Sequence, residues 1–98
     1  MNILKDIKPP KNGENFTTLL NHKNVKIVRI ISSNKLDIVE YIQDEDEWIL
    51  ILEGSATIIM NNQKYNLIQG EILFISSKTK HTIKNVENGT IWLAIHIF

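Results

Sequence analysis

The chain has 98 residues and no cysteine, with 11 Lys+Arg against 11 Asp+Glu and a formal net charge of zero. That length supports one domain with its own core rather than two, so residues 1–98 are read as a single unit. Zero net charge lacks the basic surplus that displaces counterions from nucleic acid, and the missing thiols exclude disulfides, zinc–cysteine clusters and thiolate catalysis.

In chain order, Met1–Lys8 lacks the apolar core of a secretory signal. The apolar run Trp48–Leu52 is far short of the roughly 20 residues that span a bilayer, so a soluble, cytoplasmic chain without membrane or nucleic-acid partners is expected. Pro9-Pro10 and Asn12-Gly13 mark an irregular lead-in over residues 1–15. Asn15–Leu20 reads as either a strand or one short helical turn. From there the period is two. Val25–Ile31, rich in β-branched residues, reads as a strand, followed by Asp37–Gln43, Trp48–Glu53 and Ser55–Met60. Asn61-Asn62-Gln63 turns the chain, because Asn tolerates left-handed backbone, and Lys64–Ile68 returns. Gln69-Gly70 turns it again into Ile72–Ile75, which reads as a buried strand, and His81–Val86 follows. Glu87-Asn88-Gly89 reads as a hairpin turn and Ile91–Phe98 as the closing strand. Regular turns without a sustained helical period indicate an all-β sandwich or barrel, with helix limited to a turn or two near residues 15–21.

Two stretches carry the functional signal: Gln43-Asp44-Glu45-Asp46-Glu47-Trp48 running on to Gly54, and Gly70–Ile75 followed by Ser76–Asn85. Both follow the strand–turn–strand spacings of the cupin barrel, an antiparallel double-stranded β-helix of jelly-roll type. Over nearly its whole length the chain resembles the small, single-domain bacterial cupins of the cupin 2 type. In that family's first motif two histidines one residue apart precede a glutamate and then a glycine; Glu47 and Gly54 match, while Tyr41 and Gln43 stand where the histidines would be. In the second motif Gly70, His81 and Asn85 match, with Ser76 in place of a proline and Lys78 in place of a glycine.

Members with the full motif hold a divalent metal by three imidazoles and one carboxylate. Carried over residue by residue, the resemblance implies a reduced set of Gln43, Glu47 and His81, with Tyr41 as a fourth. One imidazole plus oxygens suits Mn, Fe, Zn or Ni without choosing among them. Strand alternation puts Tyr41 and Gln43 on one face, Glu47, Ile49 and Ile51 on another, and His81, Ile83 and Asn85 on a third. Facing inward, these polar groups would converge in an apolar pocket suited to a small molecule.

Two functions stay open. Either a metal, or Glu47 or His81 acting as a base, supports chemistry on a small metabolite, or the barrel is a metal-free ligand-binding or dimerisation module. Asp44, Glu45 and Asp46 read as a solvated turn, and His22 as a surface residue. His96, which shares a face with Trp92, Ala94 and Phe98, reads as a hydrogen-bonded histidine among aromatic neighbours rather than an extra cavity group. Lys78, Lys80 and Lys84 read as a solubilising strip. The resemblance, together with apolar residues on both parities of Val25–Ile31 and Ile91–Phe98, leads to the expectation of a homodimer.

Overall fold

The computed structural model describes residues 1–98 and its regular structure is entirely β. The nine strands are β1 (Glu14–His22), β2 (Val25–Ser32), β3 (Glu40–Tyr41), β4 (Asp46–Glu53), β5 (Ser55–Met60), β6 (Gln63–Ile68), β7 (Ile72–Ile75), β8 (His81–Lys84) and β9 (Thr90–Ile97). They form a five-stranded sheet in the order β1-β2-β9-β4-β7 and a four-stranded sheet in the order β3-β8-β5-β6. Every pairing is antiparallel, and the two sheets face each other as a barrel. No helix is long and apolar enough to cross a membrane.

Alternation sets which residues face inward. In β4, Glu47, Ile49 and Ile51 are buried, with Trp48, Leu50 and Leu52 on the opposite face. Directly paired residues of an antiparallel ladder share a face. The β4–β9 register therefore sets Ile49 beside Ala94, Ile51 beside Trp92 and Glu47 beside His96. Ile49, Ile51, Ala56, Ile58, Met60, Leu67, Ile75, Val86, Trp92 and Ala94 make the core. Each buried large aliphatic residue contributes about 1.5–3 kcal/mol by leaving water.

The β4–β5 turn depends on one glycine. Gly54 has φ of +92, and a Cβ there would lie 2.4 Å from Thr90 Oγ1 and 2.8 Å from Thr90 Cα. Thr90 Oγ1 in turn contacts the carbonyls of Glu87 (2.7 Å) and Ser55 (3.1 Å) and accepts from the Ser55 N–H, which locks the start of β9 onto that turn. Asn61 and Asn62, with φ of 53 and 60, make the two-residue turn joining β5 and β6.

One alternative is settled and three expectations change. Asn15–Leu20 belongs to a full strand, with no helical turn, because β1 pairs along the length of β2. Asp37–Gln43 shrinks to two paired residues, Glu40 and Tyr41, since only β8 offers an edge there; Ile38, Val39 and Ile42 stay exposed. Ile72–Ile75 is an edge strand whose Ile72 and Phe74 are 55% and 51% exposed. Glu87-Asn88-Gly89 is no hairpin, because β8 and β9 lie in different sheets and the segment crosses between them.

Outside the five-stranded sheet, the lead-in is tied down over buried Arg29, whose Nη1 donates to the carbonyls of Ile3 (3.1 Å) and Lys5 (2.7 Å). Beyond that strap the outer face carries a row of paired apolar side chains, Leu20, Ile27, Ile95, Trp48 and Phe74, with Leu93, Leu50 and Ile72 alongside.

Candidate functional site

A cavity of about 160 Å³ opens between the sheets at the end of β4 where Glu47 stands. Its walls are mostly apolar, made by Ile49, Ile58, Ile75, Ile83 and Trp92 among others. Phe16 and Tyr41, 66% and 40% exposed, stand at its mouth. The polar lining comes from six side chains on five strands and one loop: Glu14, Tyr41, Gln43, Glu47, His81 and His96.

Glu47 is 8% exposed and would be costly to bury alone. Gln43 Nε2 donates to its Oε1 at 2.8 Å, and His96 Nε2 lies 3.6 Å from its Oε2. The other His96 nitrogen, Nδ1, is 2.9 Å from Glu45 Oε2, so the imidazole stands between two carboxylates. Its ring also stacks on Phe98, with centroids 6.4 Å apart. Gln43 is held from the second motif: its backbone carbonyl accepts the Lys78 N–H at 2.7 Å. Lys78 has φ of 59, so this turn adopts the left-handed backbone that explains a glycine at that place in the family pattern.

His81 is only 5% exposed. Its Nδ1 lies 3.0 Å from the Thr79 carbonyl, and a carbonyl oxygen only accepts, so Nδ1 carries the proton. Nε2 therefore holds a lone pair and has no protein partner, on a ring that lines the cavity. Tyr41, directly opposite in the β3–β8 register, stacks on the imidazole at 5.8 Å.

Glu14 enters from the start of β1. Ser32 Oγ donates to its Oε2 at 2.5 Å while accepting from Trp92 Nε1 at 2.9 Å. Burial pushes the Glu14 carboxyl above its ordinary pKa; the Ser32 hydrogen bond opposes this and the Glu47 charge adds to it.

The four side chains implied by the resemblance, Tyr41, Gln43, Glu47 and His81, all line this cavity. Glu47 and His81 nevertheless form neither a hydrogen bond nor an ion pair, because Gln43 and His96 have taken the carboxylate. Asn85 leaves the inward face: β8 ends at Lys84, and Asn85 sits exposed with φ of 50, a turn geometry that asparagine tolerates. Asp44 is exposed as expected, but Glu45 is half-buried against His96, and Asp46 accepts the Ser77 N–H at 2.7 Å. His96 is hydrogen-bonded beside an aromatic ring and is a cavity group as well. Parity with Trp92 was the one sequence signal for this. Nothing in the sequence pointed to Glu14 or Phe16.

As arranged, these donors do not fit a divalent ion. No three His, Asp or Glu side chains come close enough to hold one. Gln43 turns its N–H, which cannot ligate, toward Glu47.

Residues 37–97 match the family described as "Cupin domain". Among solved structures, a "putative mannose-6-phosphate isomerase" of Ralstonia eutropha JMP134 superposes with a TM-score of 0.88 at 28% identity, covering 99% of this chain and 95% of that one. A conserved Streptococcus pyogenes protein of unknown function gives 0.83 at 16% identity, covering 99% and 84%. A cupin superfamily protein of Desulfitobacterium hafniense DCB-2 gives 0.73 at 24% identity, covering 91% and 81%. At those identities the last two establish the fold alone. The chain is also 34% identical over 79 residues to a "putative ankyrin repeat protein" of Acanthamoeba polyphaga mimivirus. That match takes in 81% of this chain and 16% of the length of the curated relative.

Proposed function

The chain belongs to the cupin family, and from that premise we propose that its barrel binds a small molecule directly, through hydrogen bonds, in the cavity between its sheets. The observation that carries this reading is His81: a buried imidazole in the lining of an apolar cavity, its Nε2 lone pair without a protein partner. No protein group meets that lone pair, and a ligand donor in the cavity can. His81 Nε2 can accept a proton as well as a hydrogen bond, so the same geometry serves binding or base catalysis. A phosphosugar, the substrate in the Ralstonia protein's name, finds no Lys or Arg among the lining residues to receive its phosphate.

Thermal unfolding against a panel of small cationic, neutral and anionic compounds tests the binding. A compound bound at 100 times its Kd adds about 2.7 kcal/mol of stability. The rise should vanish in His81→Ala. A rise that survives unchanged in that variant would place the ligand elsewhere.

A divalent ion is the second reading, favoured by one observation: a histidine whose Nδ1–H is fixed by a carbonyl presents Nε2 as metal-binding histidines do. It requires Gln43 to release Glu47. Metal analysis of protein purified without chelator or added metal decides it. Stoichiometric metal lost in Glu47→Ala and in His81→Ala, but kept in Glu45→Ala, would favour the ion over direct hydrogen bonding.

For a macromolecular partner we propose a second copy of the chain, laid against the outer face of the five-stranded sheet. The row from Leu20 through Trp48 to Phe74 is uncharged, so it selects no partner by charge, and a flat apolar sheet face is self-complementary across a twofold axis. Sedimentation should give a dimer at micromolar concentration and a monomer for Trp48→Glu; a wild-type monomer would refute it.

A further inference from the structure

Resting on the reading of the cavity as a ligand site, we propose that its ligand is a small organic cation, a primary ammonium on an apolar body, and that the cavity turns away carboxylated and phosphorylated molecules.

Charge is the first argument. The cavity is lined by Glu14 and Glu47, with Glu45 directly behind His96, and by no Lys or Arg. The only cationic candidates are the imidazoles of His81 and His96. Lys26, directly opposite His96 in the β2–β9 register, offsets Glu45. With His81 neutral so that its Nε2 accepts, the two lining carboxylates are met by at most one imidazolium, that of His96, which leaves one negative charge uncompensated in a mostly apolar enclosure. An anion entering there meets like charge in a medium that screens it poorly, and a cation supplies the missing partner.

Hydrogen-bonding inventory is the second, and it is independent of the count of acids. The donors at this site are largely committed: Gln43 Nε2 to Glu47, Trp92 Nε1 to Ser32, and His81 Nδ1 to the Thr79 carbonyl. The unmet groups inside are the acceptors His81 Nε2 and the Oε1 of Glu14, whose Oε2 alone is bonded by Ser32; the Tyr41 hydroxyl, at the mouth, is free to donate or accept. An ammonium brings three donors and no acceptor, the complement of that set. A carboxylate or phosphate brings acceptors to acceptors.

Size and surface complete the description. A cavity near 150 Å³ holds one benzene ring, so about 160 Å³ here fits a ligand of roughly six to ten heavy atoms. The rings of Phe16, Tyr41 and Trp92 line it, and aromatic faces attract cations.

The test uses three probes of one shape, benzylamine, benzyl alcohol and benzoate, titrated at pH 7 into protein labelled at isoleucine methyl groups. Benzylamine should bind roughly tenfold or more tighter than benzyl alcohol, benzoate should bind weakest, and Glu14→Gln should shrink the amine-to-alcohol ratio. Equal affinity for amine and alcohol, or a preference for benzoate, would overturn the charge inference and leave the ligand cavity standing. So would a stoichiometric metal that blocks benzylamine. Absence of binding by all three, or shifts confined to outward methyls, would overturn both.

Discussion

The two ends of the barrel, joined by β4, treat their polar groups in opposite ways. At the Gly54 end, Ile51 and Ile91 are fully buried, and the Thr90 hydroxyl makes all its contacts within the protein. At the Glu47 end, the sheets part around a cavity, and two acceptors, His81 Nε2 and Glu14 Oε1, have no protein partner. A small barrel can be fastened by one closed end, which frees the other to keep polar groups that a ligand rather than the fold satisfies. Stability and binding should therefore separate along β4.

The largest effect should come from Ile51→Ala, which empties a fully buried site at the closed end and should cost about 3–4 kcal/mol in denaturant unfolding. Gly54→Ala should follow at roughly 2–3 kcal/mol, since it puts a side chain at φ of +92 and against Thr90 Oγ1. Glu47→Gln, at the open end, keeps the shape and should cost less than about 1 kcal/mol while weakening the binding of benzylamine severalfold. If Glu47→Gln unfolds the protein as readily as Ile51→Ala, the separation of the two ends is wrong.

The smallest effect sharpens the comparison through pH. Burial raises the Glu14 carboxyl above the usual 4.5, so the folded state holds its proton more tightly than the unfolded chain does. Its stabilising share is full below pH 4.5 and is lost as pH rises through the elevated folded value. Glu14→Gln, still able to accept from Ser32, should gain stability relative to wild type between pH 4 and pH 7. A constant difference across that range would contradict the buried, charge-strained Glu14.

The strand inventory was readable because alternation and turn chemistry agreed. Ser55–Met60 and Ile72–Ile75 have the bounds that the pattern gave them, and the Asn61-Asn62 turn follows from asparagine's tolerance of positive φ. Tyr41, Gln43, Glu47 and His81 were readable because two motifs of fixed spacing place them. Glu14 was not, because it reaches the cavity through the β1–β2 register, which includes a shift between Thr18 and Leu20. Glu45 was misread because a run of acids looks solvated until a histidine 51 positions away packs beside it. The exposure of Ile72 and Phe74 was illegible for another reason: an apolar strand reads the same whether or not anything covers it.

The central claim, that a small molecule occupies the cavity at the open end, is tested most directly by isoleucine-methyl NMR during a benzylamine titration. The account predicts shifts at Ile30, Ile49, Ile58, Ile75 and Ile83, which line the cavity, and none at Ile72 or Ile97, which face outward. Shifts at Ile72 and Ile97 with the five cavity isoleucines unmoved would contradict it.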